Sequence, residues 1–142
     1  MENSFKSAES VRNVNVLVQK IDTLCKDIEN ALAFCMEVNS SSVAGHSVSL
    51  TQKMDSDYVD SIVLSFHMMK RHLEKLKKSL KSFGWTNDID TIVNGLRTSA
   101  DGIQQLLHSN LFFYNTFHLL SSEVQVLIDQ VFEEVQVTSL AA

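Results

Sequence analysis

Histidine is the residue type here best suited to bind a metal or carry a proton. The chain has five: His46, His67, His72, His108 and His118. Two histidines on a helix share one face when they are three or four residues apart, which is the spacing that a helical zinc site needs. His67 and His72 are five apart, and His108 and His118 are ten apart. No cysteine or carboxylate completes a ligand set, so we predict no metal site and no cofactor.

The other arrangements that support catalysis are also missing from the sequence. We find no nucleophile paired with a base, no glycine-rich phosphate loop and no paired carboxylates. Cys25 and Cys35 lie ten residues apart on one predicted helix. Their α-carbons are then about 15 Å apart, which is too far for a disulfide. We therefore predict a protein that is not an enzyme, with reduced thiols typical of an intracellular compartment.

His67 and Lys70 form a His-x-x-Lys pattern on a predicted helix. This pattern resembles histidine phosphotransfer domains, in which an exposed helical histidine relays a phosphoryl group. The resemblance implies that His67 accepts phosphate. In that family small residues follow the lysine, whereas Arg71, His72 and Leu73 follow it here. A phosphotransfer-type signalling module is therefore an alternative function.

Basic residues are concentrated between Lys70 and Lys81, where six of them occur with one acid. By contrast, the segment from Asp88 to Val137 has one base and seven acids. Such a run indicates a solvated face with weak local ion pairs, or a docking surface for an acidic or anionic partner, including a membrane surface. We call Lys70, Arg71, Lys77, Lys78 and Lys81 the basic stripe.

Large apolar residues occupy seven of the ten positions from Leu111 to Leu120. They do not fit a single helix face, and a helix that is apolar on several sides is either central in its bundle or covered by another molecule. Aromatic clusters are also common anchors of protein interfaces. The candidate partner-binding residues are Phe112, Phe113, Tyr114, Phe117 and Leu119.

Composition indicates the fold class. The 142 residues include no proline and four glycines, fewer than the turns of a β-rich domain normally need. A net charge of −5 argues against a nucleic-acid binder. No apolar run approaches the 18 or so residues of a transmembrane helix. We predict an all-α protein without a transmembrane segment.

Apolar residues recur at alternating steps of three and four along most of the chain, as in packed helices. This period predicts a single domain over 1–142, an elongated antiparallel helical bundle. The expected helices are 7–38, 51–83, 88–108 and 110–138, with a serine-rich loop at 39–50.

The last third of the chain leaves two arrangements open. Its apolar register runs without a break from Ile89 to Val131, which permits three helices with a long, overhanging last helix. Helices of that length are uncommon in globular domains, which favours four helices. The break then falls at Ser109 and Asn110, or at Ser121 and Ser122.

These observations predict a non-catalytic protein–protein interaction module, a subunit or docking domain of an intracellular multi-protein assembly. It would bind through apolar helix faces to a helical partner or to a second copy of itself. The alternatives are the phosphotransfer module and a helical bundle that binds an anionic or membrane surface.

Overall fold

A computed structural model describes residues 8–43, 56–82 and 87–141, with side chains described over 11–38, 57–82 and 89–134. Within these residues the chain forms four α-helices and no strand. At 1.5 Å per residue, the first helix is about 54 Å long and the last about 46 Å. The predicted all-α class is confirmed. The helices are α1 (Ala8–Val43), α2 (Ser56–Lys81), α3 (Asn87–His108) and α4 (Leu111–Ala141).

The helices are arranged as a closed ring in which each packs against its neighbours in the chain and α4 packs against α1. The direction of each pair follows from its contacts. Lys70 of α2 bonds Glu29 of α1, and Lys77, seven residues later, bonds Asp22, seven residues earlier. Between α3 and α4, the pairs Asp101–Gln125 and Arg97–Asp129 show the same opposite progression. The bundle is therefore antiparallel throughout.

The core of α1 and α2 follows the predicted three-four spacing. In each helix, one apolar residue per turn faces inward and is at most 5% exposed. Burying such side chains is the main stabilising contribution, about 1.5 to 3 kcal/mol for each large one. These residues are Val14, Leu17, Ile21, Leu24, Ile28, Ala31 and Cys35 of α1, and Val59, Ile62, Phe66, Met69, Leu73, Leu76 and Leu80 of α2.

The buried stripe of α3 is wider than a two-position apolar seam predicts, since Ile89, Leu96 and Ile103 are buried together with residues beside them. The structure buries Val93, Ala100 and Leu107, whereas Ile92 and Leu106, one residue earlier, are only half-buried at the margin. The reason is that α3 packs against both α2 and α4, so its buried stripe is wider than a two-position seam.

Gly95 of α3 faces the ring of His72 on α2. A β-carbon at Gly95 would lie 2.6 Å from Cε1 of that ring, far inside van der Waals contact. The ring of His72 thus occupies the space that a side chain at position 95 would need.

The break between α3 and α4 falls at Ser109 and Asn110. The Ser109 hydroxyl donates to the carbonyl of Leu106 at 2.8 Å, and Oδ1 of Asn110 accepts the backbone N–H of Phe113 at 3.0 Å. The second contact is that of an N-cap residue. Asn110 is therefore polar because it starts α4, which makes the three-helix arrangement wrong.

The alternative break at Ser121 and Ser122 is also wrong, because both residues lie inside α4 and Ser121 is fully buried. The predicted loop from residue 39 begins too early, since α1 continues to Val43. Asparagine and serine are only moderately poor helix formers, and the first glycine comes at Gly45. The predicted limits of the second helix, 51 and 83, lie outside the described residues.

Asn110→Ala is expected to lower the free energy of unfolding by about 1 kcal/mol, because the N–H of Phe113 loses its acceptor. Asn115→Ala, at an exposed position inside α4, is the matched control and should be neutral or slightly stabilising. Urea denaturation of both variants measures the difference. Equal effects of the two substitutions would mean that the Asn110 cap does not stabilise the turn between α3 and α4.

Gly95→Ala is expected to cost about 1 kcal/mol of stability, since the strain against His72 exceeds the gain in helix propensity. In a His72→Ala background the same change should stabilise by about 1 kcal/mol, because the space is then free. A double-mutant cycle by urea denaturation gives the coupling. The same effect in both backgrounds would contradict the contact.

Candidate functional site

Two of the candidate aromatic residues lie in the core. Phe113 is 0% and Phe117 is 4% exposed. The ring of Phe117 contacts Phe66 at 5.2 Å and Phe34 at 5.8 Å between centroids, both close to perpendicular. Phe113 contacts Tyr58 at 5.6 Å. These rings join α4 to α1 and α2, and they are not available to a partner.

Tyr114 is half-buried, and it packs against neighbouring side chains at the start of its own helix, α4. Its ring stacks on His118 at 4.7 Å with 5° between the planes, and it lies 5.7 Å from His108. Nδ1 of His118 also lies 2.8 Å from the carbonyl oxygen of Tyr114. His108 and His118 therefore have packing partners at the turn between α3 and α4.

The remaining candidates face outward. Phe112 is 52% and Leu119 is 67% exposed, and Val126, seven residues further, is 55% exposed. The ring of Phe112 keeps one contact with Phe34, at 6.0 Å. We call Phe112, Leu119 and Val126 the outer apolar line. It repeats every seven residues, the spacing at which one helix face meets a partner helix.

A surface groove of about 530 Å³ lies beside the outer apolar line, between α1 and α4. Val16 of α1, 48% exposed, faces it from the opposite side. The polar side chains that line the groove include both positively and negatively charged ones. The groove is lined by Val16, Gln19, Lys20, Thr23, Leu24 and Asp27 of α1, and by Glu123, Val126, Leu127 and Gln130 of α4.

Sequence reasoning missed Val126 and Val16 as site residues. The signal for Val126 was present, because it continues the seven-residue spacing of Phe112 and Leu119. Val16 had no comparable signal, since its place beside the line depends on how α1 packs against α4. A hydrogen bond from Lys20 to Gln130, 2.9 Å, crosses from one helix to the other there.

The basic stripe divides into two parts. Nζ of Lys70 lies 3.0 Å from Glu29, and Nζ of Lys77 lies 2.5 Å from Asp22, so both join α2 to α1. Arg71, Lys78 and Lys81 are exposed, and among the described residues none of them contacts an acidic side chain. Only this second part is free to meet a partner.

Leu64 and Met68, 61% and 47% exposed, lie on the outer side of α2. They do not continue as an apolar line, because Arg71 is the residue seven positions after Leu64. The outer apolar line of α4 is thus the longer regular apolar series on the described surface. Leu64 offers a matched control of similar exposure on a different helix.

The histidines of α2 have different surroundings. His67 is exposed, whereas Nδ1 of His72 is buried without a hydrogen-bond partner. Burial, together with Lys75 and Arg71, lowers the pKa of His72 and so favours its neutral form. Within the described residues no three His, Cys, Asp or Glu side chains are grouped as metal ligands.

Both cysteines are free and poorly reactive. Burial raises the pKa of the Cys35 thiol to about 11, and burial with the nearby Glu74 raises that of Cys25 to about 11. The reactive form of a cysteine is the thiolate, which is scarce at neutral pH with such values. Neither side chain is poised as a nucleophile.

Comparisons with models of protein families, with curated proteins and with solved structures find no match for this chain. The described helices include none that is long and apolar enough to cross a membrane. The function proposed below therefore depends on the geometry of the bundle.

Phe113→Ala is expected to lower the free energy of unfolding by about 3 to 5 kcal/mol, because it leaves a cavity in the core. Leu119→Ala should change it by less than about 0.5 kcal/mol, since its side chain is mostly in solvent. Urea denaturation separates the two. A large loss in Leu119→Ala would place the outer apolar line inside the fold.

Proposed function

We propose that this protein is a non-catalytic interaction module, a subunit or docking domain of an intracellular multi-protein assembly. It binds a partner helix along the outer apolar line and the adjoining groove between α1 and α4. The observation that carries the proposal is the exposure of Phe112, Leu119 and Val126 at seven-residue intervals.

Physical chemistry supports a helix as the partner. An amphipathic helix lays apolar residues into a groove at intervals of three, four and seven, which matches the period of the outer apolar line. The line spans 14 residues, about 21 Å of helix. The groove beside it has Leu24 and Leu127 among its lining residues and Lys20, Asp27 and Glu123 around it. This pattern of apolar centre and charged rim is typical of specific interfaces.

An intracellular location is part of the proposal. Its support is that Cys25 and Cys35 are both free, with no disulfide between them. Free, buried thiols are typical of reducing compartments.

The two alternative functions have weaker support. His67 is exposed on α2, as phosphate transfer requires, but the large Arg71 is exposed one turn later on the same side. For an anionic surface, only Arg71, Lys78 and Lys81 of the basic stripe are free, because Lys70 and Lys77 are paired within the bundle. Neither feature has the regular spacing of the outer apolar line.

Site-specific photo-cross-linking tests the proposal. A photo-activatable phenylalanine analogue is placed at position 119 or, as the control, at position 64, and the protein is irradiated in the cells that express it. We expect one dominant covalent adduct from position 119, because that position lies in the interface, and little from position 64. Adducts of equal yield from both positions, or none from 119, would reject the outer apolar line as a binding surface.

A further inference from the structure

We propose that the outer apolar line is occupied by a second copy of this chain, packed across a two-fold axis that passes close to Leu119. This inference rests on the proposed function and names the partner of the same surface. In it, α4 of each copy lies antiparallel to α4 of the other, over the groove between α1 and α4.

The absence of charged side chains at the start of α4 favours a second copy as the occupant. Residues 111–122 contain no Asp, Glu, Lys or Arg, although the chain as a whole carries a net charge of −5. A two-fold contact places a surface patch against itself, so any charge near the axis meets its own kind. Like charges placed opposite each other cost several kcal/mol across an interface. Residues 111–122, the first twelve of α4, avoid this repulsion entirely.

The positions of the outer apolar line along α4 also favour a second copy. With the axis at Leu119, the two Leu119 side chains meet, and Phe112 of one copy lies opposite Val126 of the other. Glu123, the first acid on α4, falls opposite the neutral Asn115 of the second copy. The seven-residue spacing is therefore symmetric about its own midpoint, as an isologous contact requires.

The groove between α1 and α4 offers a place for an aromatic side chain of the second copy. Because Val126 lines it, Phe112 of the second copy is brought to its mouth, facing Val16 on the far side. Phe112 is half exposed in the single copy, and an aromatic side chain entering an apolar pocket is the common form of an interface anchor. The same insertion occurs twice, once in each direction.

Size sets the expected strength of the contact. Four exposed apolar side chains lie on this face or across the groove from it: Val16, Phe112, Leu119 and Val126. If each adds on the order of 100 Å² of apolar surface, a symmetric pair buries about 800 Å². That is below the roughly 1,200 to 2,000 Å² of stable interfaces and in the range of weak, transient ones. A weak, reversible dimer is therefore expected, with a dissociation constant in the micromolar range or above.

Sedimentation equilibrium of the purified chain over roughly 1 to 200 μM tests the inference. We expect a mass rising from 16.0 kDa towards twice that value. Leu119→Glu should hold the protein at the single-copy mass, because it puts two carboxylates on the axis. Leu64→Glu, an equally drastic change at a similarly exposed site, should behave like the wild type. Circular dichroism checks that both variants keep their helices.

Cysteine cross-linking tests the position of the axis. Under mild oxidation Leu119→Cys should form a covalent dimer, since position 119 meets itself, whereas Leu64→Cys should not. A protein that stays at 16.0 kDa at every concentration would overturn the inference, as would a dimer that still forms in Leu119→Glu.

The failure of this inference differs from the failure of the proposed function. If the chain is a single copy at every concentration but position 119 still cross-links to another protein in cells, the surface binds a different chain. If position 119 forms no adduct as well, the surface is not an interface at all.

Discussion

The reversal of the chain at Ser109 and Asn110 is the constraint on which the bundle depends. The apolar period continues through it without interruption, so packing preference alone would allow one long helix. Asn110 instead accepts the N–H of Phe113 and starts a new helix, which folds back on α3 and reaches α1. The turn that this hydrogen bond helps to stabilise allows the four helices to close into a ring.

Folding α4 back also gives this helix two apolar faces. Its inner face, with Phe113, Phe117, Val124 and Val131, completes the core. Its outer face has the outer apolar line, which the bundle does not cover. A helix in a free-standing bundle would normally have polar residues there. The proposed association would account for the surplus of apolar residues in α4, and the groove beside α1 would give it a defined shape.

Electrostatics divides the surface into regions with different roles. The α1–α2 seam uses Lys70 and Lys77 for pairs with Glu29 and Asp22, whose carboxylates are exposed to solvent, so each pair is weak. These pairs set register more than stability. Residues 111–122 at the start of α4, by contrast, include no charged residue. Under the proposed function, a partner there would be selected by shape and apolar contact.

Much of the fold could be predicted from the sequence because it depends on local periodicity. The three-four spacing of apolar residues predicts the seams of α1 and α2, and the residues at that spacing, from Val14 to Cys35 and from Val59 to Leu80, are buried. The wider buried stripe of α3 could not be predicted, because it depends on how α3 packs against both α2 and α4. Within the aromatic segment, the separation of buried Phe113 from exposed Phe112 needs the position of Phe34 on α1. Such contacts arise only when the helices are assembled.

The most direct test of the account is the solvent accessibility of the outer apolar line as the protein associates. Methyl NMR signals of Leu119, Val126 and Leu64 would be recorded with a soluble paramagnetic agent, in dilute and in concentrated protein. The account predicts that all three methyl groups are broadened when dilute, and that Leu119 and Val126 alone become protected when concentrated. Protection of Leu119 in dilute protein, or equal broadening of all three at every concentration, would contradict it.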